Sequence, residues 1–294
     1  MEFRGVIPAV TTPFMDDLEL DLPSLASNIE RLASAGVEAV VVCGTMGEAS
    51  ALSDDERASV ITTALGAIGN VTVGISSTTT GGSIAFAGQA AELGAHGVMC
   101  LPPVTYNCDN DEVLAFFDAV GGATALPLMV YNNPAAARVD MSAALIGRIC
   151  EQVPTAVAVK ECSEDARRIA AVIASTDGRA DVLVGGDDWA LEGYSAGAVG
   201  WVSGVANVAP AECIELESDV MHGRLDDARA LNQRLLPLSR LDMDPKLVQL
   251  FKLAQDRVGM KGGPSRPPRR PLTSAEIAAV DEAIATANLT AATV

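Results

Sequence analysis

The stretch Val153–Ala174, "VPTAVAVKECSEDARRIAAVIA", contains two structural patterns in succession. Residues 155–160 form a short apolar run with β-branched residues, which is typical of a buried strand. Ser163 follows with acidic residues directly after it, and this predicts a helix that begins at Ser163 and continues through the alanine-rich run. A buried strand followed by a helix is the unit of a parallel sheet.

Comparable strand segments recur along the first two thirds of the chain, with alanine-rich segments between them that carry helix-start signals such as the capping box Ser53–Glu56. Eight such units close a (β/α)₈ TIM barrel. A doubly wound open sheet is disfavoured, because "AVTTPF" follows the first strand where a dinucleotide-binding fold would have G-x-G-x-x-G. We predict strands at 4–10, 37–43, 71–76, 97–101, 126–131, 155–160, 181–185 and 198–203.

The pattern changes after Asn207, where only helical segments follow. The glycine- and proline-rich stretch "GGPSRPPRRPL" separates the last of them, which opens with the capping box Thr273–Glu276. We therefore expect a catalytic barrel over residues 1–207 and a C-terminal helical region over residues 208–294. The predicted helices of that region span 210–222, 225–239, 244–258 and 274–287.

Composition excludes several classes of partner. A formal charge of −18 disfavours binding to nucleic acid or to an acidic membrane surface. The six cysteines are scattered without a C-x-x-C pair, and the start "MEFRGVIPAV" lacks the pattern of a signal peptide. We expect a soluble, cytoplasmic protein with free thiols.

Lys160 ends the sixth predicted strand and is the only lysine in the first 245 residues. The carboxyl ends of barrel strands build the active site in this architecture, which favours a functional role. One interpretation is a lysine whose stem packs on apolar side chains while its head reaches water. The other is a buried amine with a lowered pKa that forms a Schiff base with a carbonyl.

Other strand ends carry groups that suit this second interpretation. Thr45 lies in the glycine-containing turn "CGTMGEAS" after strand two, and Tyr131 ends strand five in "MVYNNP". Taken alone, each has an ordinary structural explanation: the turn is a loop that needs glycine, and the tyrosine packs its ring while its hydroxyl reaches water. Together they meet the needs of imine chemistry on a 2-keto acid: the amine attacks C2, the hydroxyls relay protons, and backbone N–H groups hold the carboxylate.

Two alternatives to a cofactor-free lysine enzyme are a pyridoxal phosphate enzyme, which also uses a buried lysine, and a metal-dependent aldolase. A pyridoxal phosphate enzyme needs a phosphate cradle and a partner for the ring nitrogen. A metal-dependent aldolase needs ligands, and His96 and His222 are not spaced as a ligand pair. We expect neither a metal nor an organic cofactor.

The segments "GVIPAVTTPF", "CGTMGEASALS", "LPLMVYNNP", "VAVKE", "VGGDD" and "GAVGWVSGVANVAPAE" occur in an order and spacing that resemble one family. The chain is similar to the dihydrodipicolinate synthase and N-acetylneuraminate lyase superfamily of Schiff-base-forming (β/α)₈ enzymes. The resemblance implies that Lys160 forms the imine, that Tyr131 relays protons, and that Thr45 with the Met46 and Gly47 backbone cradles the carboxylate.

The resemblance also implies a binding pocket and an assembly. Gly186 and Val202 match positions that line the pocket beside the lysine, and Thr105 and Arg138 are further candidates for substrate binding. Members of the superfamily are commonly homotetramers, built as a dimer of dimers, and need no metal or organic cofactor.

Three departures from the synthase pattern bear on the substrate. Met46 replaces a second threonine, Tyr106 comes one place late after strand four, and Ala136 stands where the synthases have an arginine that grips a carboxylate. We therefore expect a deaminase or dehydratase, with 1-pyrroline-4-hydroxy-2-carboxylate deaminase as the leading hypothesis. The alternatives are a pyruvate-dependent aldolase of the 4-hydroxy-tetrahydrodipicolinate synthase or N-acetylneuraminate lyase type, and a non-catalytic barrel that binds keto acids.

Overall fold

The computed structural model of the protein describes residues 3–290 and contains one eight-stranded parallel sheet. From the second strand to the eighth, each strand pairs with the next in sequence, and the eighth pairs with the first. A bridge between Ala9 and Val41 joins the first two strands and completes the ring. The strands are β1 (Gly5–Pro8), β2 (Ala39–Val42), β3 (Asn70–Gly74), β4 (Gly97–Cys100), β5 (Leu128–Asn132), β6 (Ala156–Glu161), β7 (Asp181–Val184) and β8 (Gly200–Ser203).

Helices surround this ring and extend beyond it at the C-terminus. The strands are buried almost throughout, because the barrel interior covers one face and the helices cover the other. The predicted TIM barrel with additional C-terminal helices is confirmed. The helices are α1 (Leu22–Ser34), α2 (Asp54–Ala67), α3 (Thr80–Leu93), α4 (Asn110–Gly122), α5 (Ala143–Gln152), α6 (Arg167–Thr176), α7 (Ala190–Ser195), α8 (Pro210–Met221), α9 (Leu225–Ser239), α10 (Leu247–Arg257) and α11 (Ser274–Thr286).

Of the three helix starts marked in the sequence analysis, two are confirmed. The capping boxes at Ser53 and Thr273 are both formed. The prediction that a helix begins at Ser163 is wrong, because α6 begins at Arg167. The Ser163 amide donates to the Glu161 carboxylate at 2.7 Å, and Glu164 adopts a left-handed conformation with φ of 63°, so these residues form a turn.

The C-terminal region contributes a segment to the carboxyl end of the barrel. A 3₁₀ turn at Arg240–Met243, between α9 and α10, packs on another 3₁₀ turn at Asp187–Trp189 that follows β7. The Asp187 amide donates to Oδ2 of Asp242 at 3.4 Å. Among the helices within residues 3–290, none combines the length and apolar character that a membrane span requires.

Candidate active site

Lys160 occupies the penultimate position of β6 and is 6% exposed. It pairs in register with Tyr131 on β5, and its Nζ lies 4.3 Å from the centroid of the tyrosine ring. The lysine stem packs over Gly185, where an added Cβ would lie 2.9 Å from Cε of Lys160. The glycine that follows β7 thus provides space for the lysine itself.

A cavity of about 420 Å³ opens around the Lys160 amine at the carboxyl end of the barrel. Most residues predicted for the site converge on it, although they come from five different strand ends. The predicted residues that line it are Thr45, Met46, Tyr131, Lys160, Gly186 and Val202.

Three of the predicted binding residues lie elsewhere. Gly47 packs against the backbone of Cys43, and its carbonyl accepts a hydrogen bond from Thr12 Oγ1 at 2.8 Å. Thr105 lines a separate surface depression together with Tyr106. Arg138 is exposed and is not part of the cavity wall.

Tyr131 is oriented by a neighbour from its own strand end. Its hydroxyl oxygen accepts a hydrogen bond from Nδ2 of Asn133 at 2.8 Å. Burial raises the pKa of the Tyr131 phenol. The phenol is therefore neutral near pH 7 and holds a proton that it can donate.

The expectation of a lowered pKa for Lys160 is wrong. Burial lowers its pKa, but Tyr131, Cys162 and Asp242 together raise it, and the net shift is upward. Because burial also raises the pKa of Tyr131 and brings that of Cys162 to about 12, both are neutral near pH 7. Asp242 is then the remaining group that favours the ammonium form of Lys160 near pH 7, and burial raises the pKa of the Asp242 carboxyl itself.

The residue after the lysine fixes the end of β6. Glu161 is fully buried, and its carboxylate accepts hydrogen bonds from Nδ2 of Asn132 at 3.0 Å and from the Ser163 amide at 2.7 Å. Since alternate residues of a strand point to opposite sides, anchoring Glu161 away from the cavity directs Lys160 into it. This explains why the segment reads Lys-Glu after an apolar run.

Sequence reasoning missed the contribution of the C-terminal region to the cavity wall. Asp242 and Asp244 line the cavity beside Trp189, whose indole occupies the space above Gly186. No strand or helix pattern marks the Asp242 segment, because it forms a 3₁₀ turn between two helices. The spacing of Asp242 from Lys160 in sequence likewise gave no signal of their proximity.

A second cavity of about 540 Å³ shares Thr45 and Tyr131 with the first and extends toward α2. Its wall includes Arg57, a buried arginine that donates to the Gly74 carbonyl at 2.6 Å and stacks 4.0 Å from the Phe86 ring. This cavity differs from the Lys160 cavity in charge, because arginines line it in place of carboxylates. Among residues 3–290, no three His, Cys, Asp or Glu side chains are grouped so that they could hold a metal ion.

Comparison with known proteins places this geometry in a family. The Dihydrodipicolinate synthetase family matches residues 2–287 of the chain. A 4-hydroxy-tetrahydrodipicolinate synthase of Methanothrix thermoacetophila is 35% identical over 277 residues, which cover 92% of each chain. A protein of the same name from Anaplasma marginale is 35% identical and covers 98% of this chain and 96% of its own.

A solved structure shows the same architecture. YagE, a prophage protein of the dihydrodipicolinic acid synthase family from E. coli K12 in complex with pyruvate, superposes with a TM-score of 0.92. It is 26% identical and the match covers 98% of this chain and 99% of that one. The sequence match, the shared fold and the lysine at the end of the sixth strand agree, and the chain belongs to the Dihydrodipicolinate synthetase family.

Proposed function

We propose that this protein is a lysine-imine lyase that makes or breaks a carbon–carbon bond on pyruvate or a closely related 2-keto acid, with Lys160 as the nucleophile. The supporting observation is the position of the Lys160 amine. It lies in a cavity at the carboxyl end of the barrel, 4.3 Å from the centroid of the Tyr131 ring.

The free amine of Lys160 is the nucleophile, so its ammonium form first gives a proton to solvent water. The free amine then adds to C2 of the keto acid and gives a carbinolamine. Tyr131 donates its proton to the carbinolamine hydroxyl, which leaves as water, and a protonated imine remains. The imine draws electrons from C3, so that C3 either gives a proton to the Tyr131 phenolate or loses a carbon substituent whose hydroxyl gives its proton to that phenolate.

In this proposal, Thr45 and the turn around it bind the C1 carboxylate of the keto acid. The turn follows β2, which lies opposite β6 in a ring of eight strands, so the keto acid spans the cavity with C1 toward Thr45 and C2 toward Lys160. The Thr45 hydroxyl and nearby backbone N–H groups provide donors for an anion there. No metal or organic cofactor enters this scheme.

The relatives favour carbon–carbon bond chemistry over the deaminase hypothesis. Two of them are named 4-hydroxy-tetrahydrodipicolinate synthase, and YagE was solved in complex with pyruvate. The deaminase or dehydratase reaction is the second candidate, and the observation in its favour is Ala136, which lines the cavity without a charge. Synthases of the superfamily have an arginine at the matching position for a second carboxylate.

Borohydride trapping tests imine formation directly. The protein is incubated with pyruvate, reduced, digested and searched by mass spectrometry for an adduct on Lys160. We expect the adduct in the wild type and in Lys261→Ala, which removes an exposed lysine, and none in Lys160→Ala. A protein that binds pyruvate without an adduct on Lys160 would be a non-catalytic keto-acid-binding barrel.

Product analysis separates the two candidate reactions. Pyruvate released from 4-hydroxy-2-keto acids supports aldol cleavage, whereas ammonia released from 1-pyrroline-4-hydroxy-2-carboxylate supports the deaminase. The homotetramer and the cytoplasmic location also remain proposals. Light scattering of the purified protein checks the first, and cell fractionation checks the second.

A further inference from the structure

The wall of the Lys160 cavity is unbalanced in charge. Three carboxylates line it, from Asp242, Asp244 and Glu164. Lys160 supplies the one cationic side chain among the lining residues that the structure describes. Once the amine is used for the imine, the cavity has no second cation for another carboxylate of the substrate.

Asp242 lies where the distal part of a substrate would extend. It stands on the turn that packs over the residues following β7, next to β6 and far from the Thr45 turn after β2. A keto acid with C1 at the Thr45 turn and C2 on Lys160 therefore directs its remaining carbons toward the side of the cavity that Asp242 occupies. This step rests on the proposed function.

The Asp242 carboxylate retains capacity to accept hydrogen bonds. Its Oδ2 accepts from the Asp187 amide at 3.4 Å, and within residues 3–290 it receives no other hydrogen bond. An ionised carboxylate offers about four lone-pair sites, so most of its capacity stays available to a bound molecule. The bond to Asp187 fixes its place relative to the cavity.

We propose that Asp242 is a specificity-determining residue of the lyase, which accepts a hydrogen bond from a hydroxyl group of the substrate beyond C4 and excludes a carboxylate from that position. The favoured substrates are hydroxylated monocarboxylic 2-keto acids. A hydrogen bond from a neutral hydroxyl to a charged acceptor is among the stronger kinds in proteins, whereas two carboxylates in one cavity repel each other.

The adjoining cavity offers a competing location for a distal carboxylate. Arg57 lies there, beyond Thr45 and Tyr131, and it could hold an anion that extends past them. Arg57 would then bind the distal carboxylate of the substrate, and Asp242 would have no effect on selectivity. The two arrangements predict opposite preferences for charge at the end of the substrate.

Three five-carbon 2-keto acids that differ only at C5 distinguish these arrangements. They are 4-hydroxy-2-oxopentanoate with a methyl group, 4,5-dihydroxy-2-oxopentanoate with a hydroxymethyl group, and 4-hydroxy-2-oxoglutarate with a carboxylate. Consumption and products are followed by NMR, which detects both cleavage and dehydration. In the wild type we expect kcat/KM to be at least about tenfold higher for the hydroxymethyl compound than for the methyl compound, and lowest for the carboxylate.

Asp242→Asn provides the matched variant, with Asp118→Asn on the exposed surface of α4 as the control for charge. We expect the variant to lose about tenfold or more on the hydroxymethyl compound, to change less than about twofold on the methyl compound, and to gain on the carboxylate. A loss that is equal for all three compounds, a wild-type preference for the carboxylate, or no turnover of any of the three would overturn the proposal.

Two features keep the test decisive. The wild-type ranking alone can contradict the proposal, even if Asp242→Asn does not fold. Borohydride trapping of pyruvate on Lys160 is measured in parallel. Failure of trapping rejects the proposed function, whereas intact trapping with the wrong ranking rejects the role of Asp242 alone.

Discussion

Nζ of Lys252 lies 2.6 Å from Oε1 of Glu48, and both side chains are at most 1% exposed. Glu48 follows the Thr45 turn directly, whereas Lys252 belongs to α10 in the C-terminal region. The same ammonium donates to the Pro264 carbonyl at 2.8 Å and lies 4.4 Å from the centroid of the Phe14 ring. A buried ion pair thus links the proposed carboxylate cradle to the helices outside the barrel.

We expect Lys252→Met to destabilise the protein by about 3–5 kcal/mol, because it leaves the buried Glu48 carboxylate without its main counterion. Burial lowers the pKa of Lys252 below its usual value, and Glu48 opposes that effect. Urea unfolding measures the free energy, with Lys261→Met as the exposed control. A change no larger than that of the control would show that the pair does not support the fold.

Tyr131→Phe tests the proton relay. The ring stays in place beneath Lys160, but the variant lacks the hydroxyl that accepts from Asn133 and, in the proposed mechanism, donates to the carbinolamine. We expect kcat to fall by about 10²–10⁴-fold, which is the usual contribution of general acid catalysis. Steady-state kinetics measure this effect, and circular dichroism checks that the fold is retained. A variant with normal kcat would assign the relay to another group.

Gly185→Ala tests the packing of the lysine. An added Cβ would lie 2.9 Å from Cε of Lys160 and 2.7 Å from the Glu161 carbonyl, so the lysine must shift. We expect slower trapping of pyruvate and a loss of about 1–3 kcal/mol in stability. Gly88→Ala in α3 is the matched control, because its Cβ meets no neighbouring atom within 4 Å, and it should instead stabilise the helix. Equal behaviour of the two variants would contradict this account.

The barrel and its lysine could be predicted because their signals are local. An apolar run ending in Lys160 indicates a buried strand with a polar tip, and the rules of parallel barrels place that tip at the active site. The contribution of Asp242 could not be predicted in this way. It depends on a turn from the C-terminal helices that packs on the residues after β7, and no periodicity links the two segments.

The protonation state of Lys160 was mispredicted for a related reason. Burial was foreseen from the apolar run, and burial does lower the pKa of an amine. Of the groups that raise it, Cys162 is close in sequence, but Tyr131 and Asp242 come from distant parts of the chain. The sign of the shift is therefore a tertiary property, whereas the position of the lysine is a local one.

The ion pair of Glu56 with Arg266 makes a prediction about pH. Arg266 lies 2.6 Å from Oε1 of Glu56 and 2.8 Å from Oε2, and the hydrogen bonds from its guanidinium lower the pKa of Glu56 from 4.5 to about 2. A carboxyl group with a lowered pKa in the folded state contributes stability that is fully present above its unfolded pKa. That contribution is lost as the pH falls from 4.5 through 2.

Glu56→Gln should therefore cost about 1.5–3 kcal/mol at pH 7, since it removes charge-assisted hydrogen bonds to Arg266 while glutamine can still accept at the capping box of α2. The difference from the wild type should shrink as the pH falls below 4.5 and should become small near pH 2. Unfolding in urea across this pH range measures it, with Glu282→Gln at an exposed position of α11 as the control. A difference that stays constant with pH would mean that glutamine destabilises through packing and that the Glu56 charge contributes nothing.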